Sequence, residues 1–529
     1  MALTNTYAEL PERFFEDARP HPVRSPRLML WNEPLADALG VPRAWSSDPN
    51  RCAQYFSGNA LVPGSRPIAL AYAGHQFGHF VPQLGDGRAH LLGELVDPSG
   101  QRFDVQLKGS GRSRFSRGGD GRCALGPALR EYIMSEAMHA LGVPTTRSLA
   151  VVTTGEIVHR ETPRPGAIVT RIASSHIRVG TFEFFAARHD IDGLRRLADF
   201  AIARHDPDLL AEAPAPASPE RYLAFFDRVV DRQIRLIVEW TRVGFIHGVM
   251  NTDNTAISGE TIDFGPCAMM GIYDPRTVYS SIDVHGRYAF GNQARIAAWN
   301  LARLAECLIP LIDEDEKAAV RRLEPILATY ASRIEAAEFR MYRKKFGLVS
   351  VVRADQNEAN ASEGDANEAK TNAEEASRQD SDRVLVRDLL ASFLSQRLDY
   401  TITFEKLRRC LNVSTELSTE LRTVLDAKLS AELRDTLGDT FERWRLRVGS
   451  SREHRRTAEA SMQRANPVVI PRNHHVEAVL HACTASGETT EIERFLNVLR
   501  SPYDIKTTTP EYQDAPIDGD AEYQTFCGT

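Results

Sequence analysis

The sequence predicts an α+β fold of two lobes with a cleft between them, and three observations carry the prediction. Short alternating apolar stretches crowd the region up to about Ala173 and read as strands. One amphipathic helix interrupts them. From about Asp192 the apolar period lengthens to that of helices. A strand-rich lobe with one internal helix, followed by a helical lobe, is an α+β plan.

Taken in order, Arg88 to Val96 and Phe103 to Lys108 read as strands joined by the turn DPSG. Successive side chains of a strand alternate, so Phe103, Val105 and Leu107 share one face while Asp104, Gln106 and Lys108 share the other. A helix is expected from Pro127 to Gly142, with proline at its start and glycine at its end. AVVTT and EIVHRE are expected to flank Gly155 as a hairpin, and GAIVTRIA adds a further strand. Ser218 is placed to cap a long helix in which Tyr222, Phe226, Val229, Val230, Ile234, Ile237 and Val238 recur at helical spacing, and Gly244 ends it. The short apolar segments FIH and TIDF then bracket a polar loop. From Arg353 to Asp382 the chain has no aromatic, Val, Ile or Leu. Such a stretch cannot offset its ordering entropy by burial, so it reads as a disordered insertion or linker. Beyond it, VLVRDLLASFL opens a C-terminal helical part.

Composition narrows the function. A chain of 529 residues with 42% hydrophobic and 26% charged residues is long enough for a large core and has the balance of a globular enzyme. The net charge of -7 gives no global basic field to recruit nucleic acid. No apolar run approaches the roughly 20 residues that span a bilayer. The N-terminal MALTNTYAELPERFFED has neither a secretion-signal core nor an Arg-rich transit character, which points to the cytoplasm. Seven cysteines without CxxC spacing indicate neither a zinc site nor a disulfide scaffold. Cys527, in the polar tail AEYQTFCGT, reads by composition as an inert thiol.

Four features carry candidate chemistry. In QLGDGR, Gly85 and Gly87 precede a strand, where a glycine turn lets backbone amides approach phosphate and Arg88 adds charge. A GxG turn is also a plain hairpin, so this signal is weak alone. Lys108 leads into the loop GSGRSRFSRGGDGR; from Arg102 to Arg122 six basic residues face two acidic ones, Asp104 and Asp120. That density suits a polyphosphate or a solvated basic surface equally. Glu136, in the following helix, has the position of a carboxylate that fixes a strand lysine against phosphate, and also that of a surface glutamate. The strongest signal is HGVMNTDNTAISGETIDFG, His247 to Gly265. Magnesium takes oxygen ligands, and Asn254 with Asp263 can hold it, leaving Asp253 to accept a proton from an attacking hydroxyl. Arg171 and Arg178 lie between the lobes, where they contact phosphate or make structural ion pairs. His75 and His79 have the spacing of a metal pair but lack a third ligand, which favours a polar-core or loop role.

Against the kinase signature H-R-D-L-x-x-x-N, the string HGVMNTDN aligns His247 with His and Asn254 with Asn, and puts Val249 where the catalytic Asp stands. IDFG keeps the metal-binding Asp263, while the glycine loop lacks the full kinase form. These departures indicate a dead kinase or a different transfer reaction.

AYAGHQFGHFVPQLGDGRAHLLGE, VQLKGSGRSRFSRGGDGRCALGPALREYIMSEAMHALGVPTTRSLA, GVMNTDNTAISGETIDFGPCAMM and NPVVIPRNH closely resemble the selenoprotein O family of protein adenylyltransferases. The resemblance runs from near the N-terminus into the C-terminal region and is interrupted mainly by the acidic stretch. It implies a bilobal protein-kinase-like fold in which ATP binds flipped relative to kinases. AMP then passes to Ser, Thr or Tyr hydroxyls of protein substrates and pyrophosphate leaves, with Mg²⁺ or Mn²⁺ as cofactor. By matching motif, Asp253 is the implied proton acceptor, and Asn254 and Asp263 are the implied metal ligands. Gly85, Gly87, Arg88, Lys108, Asp120, Gly121, Arg171, Arg178 and Asp263 are implied to contact ATP, and Glu136 to pair with Lys108.

The implied division is an N-terminal extension (1–60), a strand-rich lobe (61–190), a helical lobe with the catalytic loop (191–352), the acidic linker (353–383) and a C-terminal helical region with its tail (384–529). The expected partners are ATP and proteins, with no nucleic acid and no membrane, and the expected state is a monomer. Two alternatives stay open at this point: a kinase transferring the γ-phosphate with Asp253 as a displaced base, and a non-catalytic pseudokinase scaffold. Family members also carry cysteine or selenocysteine near the C-terminus, which makes a regulatory Cys267–Cys527 disulfide a candidate.

Overall fold

The computed structural model describes residues 2–212, 218–349, 364–411, 419–449, 451–504 and 510–526. In chain order its strands are β1 (Phe15–Asp17), β2 (Arg27–Trp31), β3 (Ile68–Leu70), β4 (Gly74–Gln76), β5 (His79–Val81), β6 (Ala89–Val96), β7 (Arg102–Lys108), β8 (Cys123–Ala124), β9 (Arg147–His159), β10 (Pro163–Ala173), β11 (Phe245–Ile246) and β12 (Ala268–Met269). The main sheet is antiparallel, ordered β1-β3-β6-β7-β10-β9-β2, with β8 added on β10. Strands β4 and β5 form a separate hairpin, and β11 pairs with β12. Helices follow the sheet, so the fold is mixed α and β with an antiparallel sheet.

The sheet has a different core on each face. Val105 and Leu107 of β7, with Val152, Ile168 and Ile172, pack against Trp45, Cys52 and Phe56 from the helices Arg43–Ser46 and Pro49–Ser57. Residues 1–60 thus supply both edge strands and the cover of one face. On the other face the helix Leu125–Ala140 packs on β9 and β10 and joins a core that continues through the helical part into the C-terminal helices. Asp104, Gln106 and Lys108 point to this second face and are also buried. A strand polar on one side and buried on both requires partners for every polar group, and β7 finds them in a buried charge network.

Two local expectations change. The predicted hairpin at Gly155 is instead one strand, β9, running from Arg147 to His159, and its hairpin partner is β10. Gly155 has φ +70, and the register slips beside it between Pro165 and Ala167. Glycine in that left-handed region makes a bulge rather than a turn. The internal helix begins at Leu125, two residues before Pro127, and ends before Gly142. The long helix Pro219–Val243 keeps Ser218 as its N-cap residue, although the hydroxyl makes no capping bond; Gly244 ends it in the left-handed conformation.

The acidic stretch lies partly outside the described residues. From Gly364, however, it forms the start of a helix that runs to Ser395. Asp382 is fully buried and accepts from Arg447 at 2.6 and 2.8 Å, with Arg343 at 3.2 Å. The expectation of a disordered linker therefore fails at this end, because paired arginines provide what apolar side chains do not. Among the described residues no helix is long and apolar enough to cross a membrane.

Candidate active site

Antiparallel pairing sets Arg171 of β10 opposite Gln106 of β7, on the face that also carries Lys108. Both cations reach one carboxylate on the Leu125–Ala140 helix, and it is Glu131. Lys108 Nζ donates to Glu131 Oε2 at 2.7 Å, and Arg171 Nε donates to Glu131 Oε1. The expected Glu136–Lys108 pair is thereby corrected: Glu136 accepts two bonds from Arg147, both at 2.6 Å. Five residues along a helix rotate a side chain by about 140°, so only one of the two glutamates can face β7. Glu131 is buried, yet Arg171 and Lys108 outweigh the cost of burial and hold its carboxyl below the usual range.

The same cations converge on Asp263. Lys108 Nζ lies 2.9 Å from Oδ1, Arg171 Nη2 donates to the same oxygen, and Arg178 Nη1 lies 3.4 Å from Oδ2. Burial pushes this carboxyl up, but Arg171, Lys108 and Arg178 together hold it well below the ordinary value. Asp263 is ionised. Its φ of +64 is left-handed, a conformation that Asp tolerates better than most side chains.

Arg178 ties this cluster to the neighbouring loop. Its Nη1 also donates to the backbone oxygen of Asp253 at 2.7 Å. Asp253 lies in a short 3-10 turn, Thr252–Asn254, and is 8% exposed. Its Oδ2 accepts from Gln76 Nε2 at 3.2 Å, while Oδ1 is buried with no hydrogen-bond partner. Burial, only partly countered by Arg178 and Gln76, raises this carboxyl to about 6. Asn254 donates its amide to Val249 O at 3.1 Å. His247 Nδ1 accepts from Val249 N, so its Nε2 donates to Ile262 O at 2.9 Å and couples the 249 loop to the residue before Asp263. Val249, at the kinase base position, is buried.

The glycine segments form the adjoining wall. Gly85 has φ +97, and a Cβ there would lie 2.4 Å from the Phe115 ring. Ser113 Oγ donates to Asp86 O at 2.8 Å and Ser116 Oγ donates to Gly87 O, which locks the QLGDGR turn against the cationic loop. Arg88 O accepts from Gly109 N at 2.7 Å, so Arg88 sits beside Lys108 in the sheet. Gly121 packs on the backbone of Gly111. Asp120 is engaged elsewhere, by Arg160 at 2.8 and 3.0 Å. Of the loop's basic residues, Arg112, Arg114 and Arg117 are exposed, whereas Arg102 and Arg122 are paired with Glu94 and Glu156.

The fold thus brings together Lys108, Arg171, Arg178, Asp253, Asn254 and Asp263, with Gly85, Gly87 and Arg88 alongside. Arg88 and Asp120 stay outside the ion-pair cluster. Sequence reasoning missed Glu131, although it shares a helix with Glu136 and only helical phase separates the two. It also missed Asp86, buried between the glycines, whose Oδ2 accepts from Leu70 N at 3.2 Å and Gln106 Nε2 at 3.1 Å. NPVVIPRNH gains a role: Asn473 accepts from Met269 N at 2.9 Å and donates to Met269 O at 2.8 Å, acting as a strand partner for β12. His75 pairs with Glu183 and His79 is exposed, so the two do not converge. Cys267 is buried, and burial raises its thiol to about 12. Its expected partner Cys527 lies outside the described residues.

Comparison with known proteins shows the family. A family model described as "Protein adenylyltransferase SelO" matches residues 1–500. A protein of Teredinibacter turnerae named "Protein nucleotidyltransferase YdiU" is 47% identical over 529 residues, covering all of both chains. Proteins of that name from Methylorubrum populi and Brevibacillus brevis are 48% and 47% identical, covering 99% of this chain and 98% and 97% of their own. The matches span the sheet and the helices alike. The chain belongs to the SelO family of protein adenylyltransferases.

Proposed function

We propose that this chain moves AMP from ATP to Ser, Thr or Tyr hydroxyls of proteins, on a bilobal protein-kinase-like fold. The observation that carries the reading is Asp253. It is a buried carboxylate with one unpartnered oxygen, tied through Arg178 to a cluster of three cations, in a chain whose kinase base position holds Val249. An acceptor hydroxyl that donates to the Asp253 carboxylate is oriented and made more nucleophilic. Its oxygen attacks the α-phosphorus, the bond from that phosphorus to the β-bridging oxygen breaks, and pyrophosphate leaves. The hydroxyl proton passes to Asp253.

Lys108, Arg171 and Arg178 are the groups that neutralise phosphate oxygens here, and the exposed Arg112, Arg114 and Arg117 suit the departing pyrophosphate. Lys108 and Arg171 are shared by Asp263 and Glu131, and Arg178 lies beside Asp263, so phosphates meet cations that are already ordered. Asn254 and Asp263 fit a magnesium or manganese ion. Asp263 is held ionised, and Asn254 has committed its amide nitrogen to Val249 O, which leaves its carbonyl oxygen for a cation. A hard cation of this kind takes one or two protein ligands and completes its shell with phosphate and water. When bound, such an ion neutralises charge on the triphosphate.

The test offers the purified chain ATP labelled at the α- or the γ-phosphate, with Mg²⁺ or Mn²⁺. Label in protein from the α-position alone is expected. Label from the γ-position alone would make the chain a kinase with a displaced base, and neither label despite ATP binding would make it a scaffold.

A further inference from the structure

The hairpin β4–β5 lies outside the sheet, yet its residues hold the Thr252–Asn254 turn at four points. His75 N donates to Thr252 Oγ1 at 2.6 Å, and Phe77 N donates to Asn251 Oδ1 at 3.0 Å. Glu183 bridges the two elements, accepting from Thr252 Oγ1 at 2.5 Å while pairing with His75. Gln76 Nε2 reaches the Asp253 carboxylate itself at 3.2 Å. Phe77 at the tip is held at φ +52, an unusual conformation for a bulky residue, which such fixed contacts sustain.

Two residues of this hairpin divide the Asp253 carboxylate into unlike oxygens. Gln76 occupies Oδ2. Gly74 packs against the same residue, where a Cβ would fall 2.8 Å from Oδ1 and 2.9 Å from the Asp253 Cβ, so only glycine lets the hairpin close on this carboxylate. Oδ1 is buried there without a hydrogen-bond partner. A general base must present a lone pair in a fixed direction to the proton it takes, and a carboxylate free to rotate offers none.

We propose that the hairpin Gly74–Val81 is a positioning element for the acceptor side of the reaction: Gln76 pins Oδ2 of Asp253, and Gly74 lets the hairpin backbone approach closely enough to hold the carboxylate in that direction. This deepens the adenylyl-transfer reading and rests on it. Neither residue touches the ion-pair cluster around Asp263, so ATP binding and acceptor activation are separable. Gly74 is outside the left-handed region, so Gly74→Ala tests the close approach of the hairpin to Asp253 rather than backbone strain.

The experiment measures transfer of α-labelled AMP into protein at saturating ATP, together with ATP affinity and melting temperature, for the full chain and three variants. Gln76→Glu keeps shape and loses the donor; Gly74→Ala pushes the hairpin away from Asp253; Gln76→Lys restores an N–H donor. Gln76→Glu and Gly74→Ala are expected to lower turnover by about 10-fold or more, within the range of general-base contributions. ATP affinity should stay within about twofold, since no phosphate-binding group has changed. Gln76→Lys should recover more turnover than Gln76→Glu. Wild-type turnover in Gln76→Glu and Gly74→Ala overturns the inference alone. Loss of turnover matched by equal loss of ATP affinity or of folding also overturns it, by assigning the hairpin a structural role. A wild-type chain that takes up no α-label overturns the adenylyl-transfer reading beneath it.

Discussion

Glu131 and Glu136 lie on one helix and do different work, and substitution should separate them. Glu131→Gln leaves Lys108 and Arg171 with one anionic partner fewer, so both cations are held more loosely at the proposed phosphate site. A loss of turnover of about 10-fold or more is expected, read by α-label incorporation. Glu136→Gln strips Arg147 of its buried partner, which costs about 3 kcal/mol of stability and should lower the melting temperature while leaving the KM for ATP unchanged. Asp253→Asn should abolish turnover and spare ATP binding, because Arg178 holds the backbone oxygen of that residue, not its carboxylate. Binding by calorimetry beside the incorporation assay checks it. At this scale the sequence was legible in which residues would meet, since NTDN and IDFG come together around Arg178. It was not legible where a choice between two like residues depends on helix phase, as with the glutamates. Nor could it reveal Gln76, whose meaning comes from a contact 177 residues away.

Strands and helices were readable in proportion to their periodicity. The Pro219–Val243 helix and strands β6 and β7 follow their apolar patterns to within a residue or two, whereas Gly155 deceived, because a glycine inside an alternating run marks a turn or a bulge with the same letters. The acidic stretch deceived for the opposite reason, since Asp382 is ordered by arginines remote in sequence. Strand β6 also carries a pH dependence. His90 is fully buried, donates from Nδ1 to Ser110 Oγ at 2.7 Å and has no partner at Nε2. Burial lowers it to about 4, so it folds neutral. With the folded value below the unfolded one, its stabilisation is present above pH 6.5 and is lost as pH falls toward 4. Between pH 7 and pH 5 the loss is about 2 kcal/mol. His90→Gln should therefore show a smaller drop in urea stability across that interval than the wild type. In the glycine turn, Gly85→Ala meets both a left-handed backbone and the Phe115 ring. A cost of about 1–3 kcal/mol and weaker ATP binding are expected, measured by thermal melting and calorimetry.

The whole molecule is held by contacts that run between distant parts of the chain. Arg130 pairs with Glu477 and reaches Tyr523, which binds the Leu125–Ala140 helix to the C-terminal region. Thr525 Oγ1 donates to Pro266 O at 2.7 Å, and Asn473 clamps Met269. Removing that clamp by Asn473→Ala leaves a buried N–H and C=O unpaired, at about 2–4 kcal/mol, and should lower the melting temperature of the full chain. Followed round, these links form a closed circuit: Lys108 to Glu131, along the helix to Arg130, across to Glu477, back through Asn473 to Met269, and up the chain to Asp263, which meets Lys108 again. A circuit differs from a jaw. Two bodies joined at one edge swing apart freely, but two bodies joined at both ends cannot separate at the middle unless a joint gives way. Any opening between the sheet and the C-terminal helices therefore requires one of these joints to give way, and the candidates are few enough to cut one at a time.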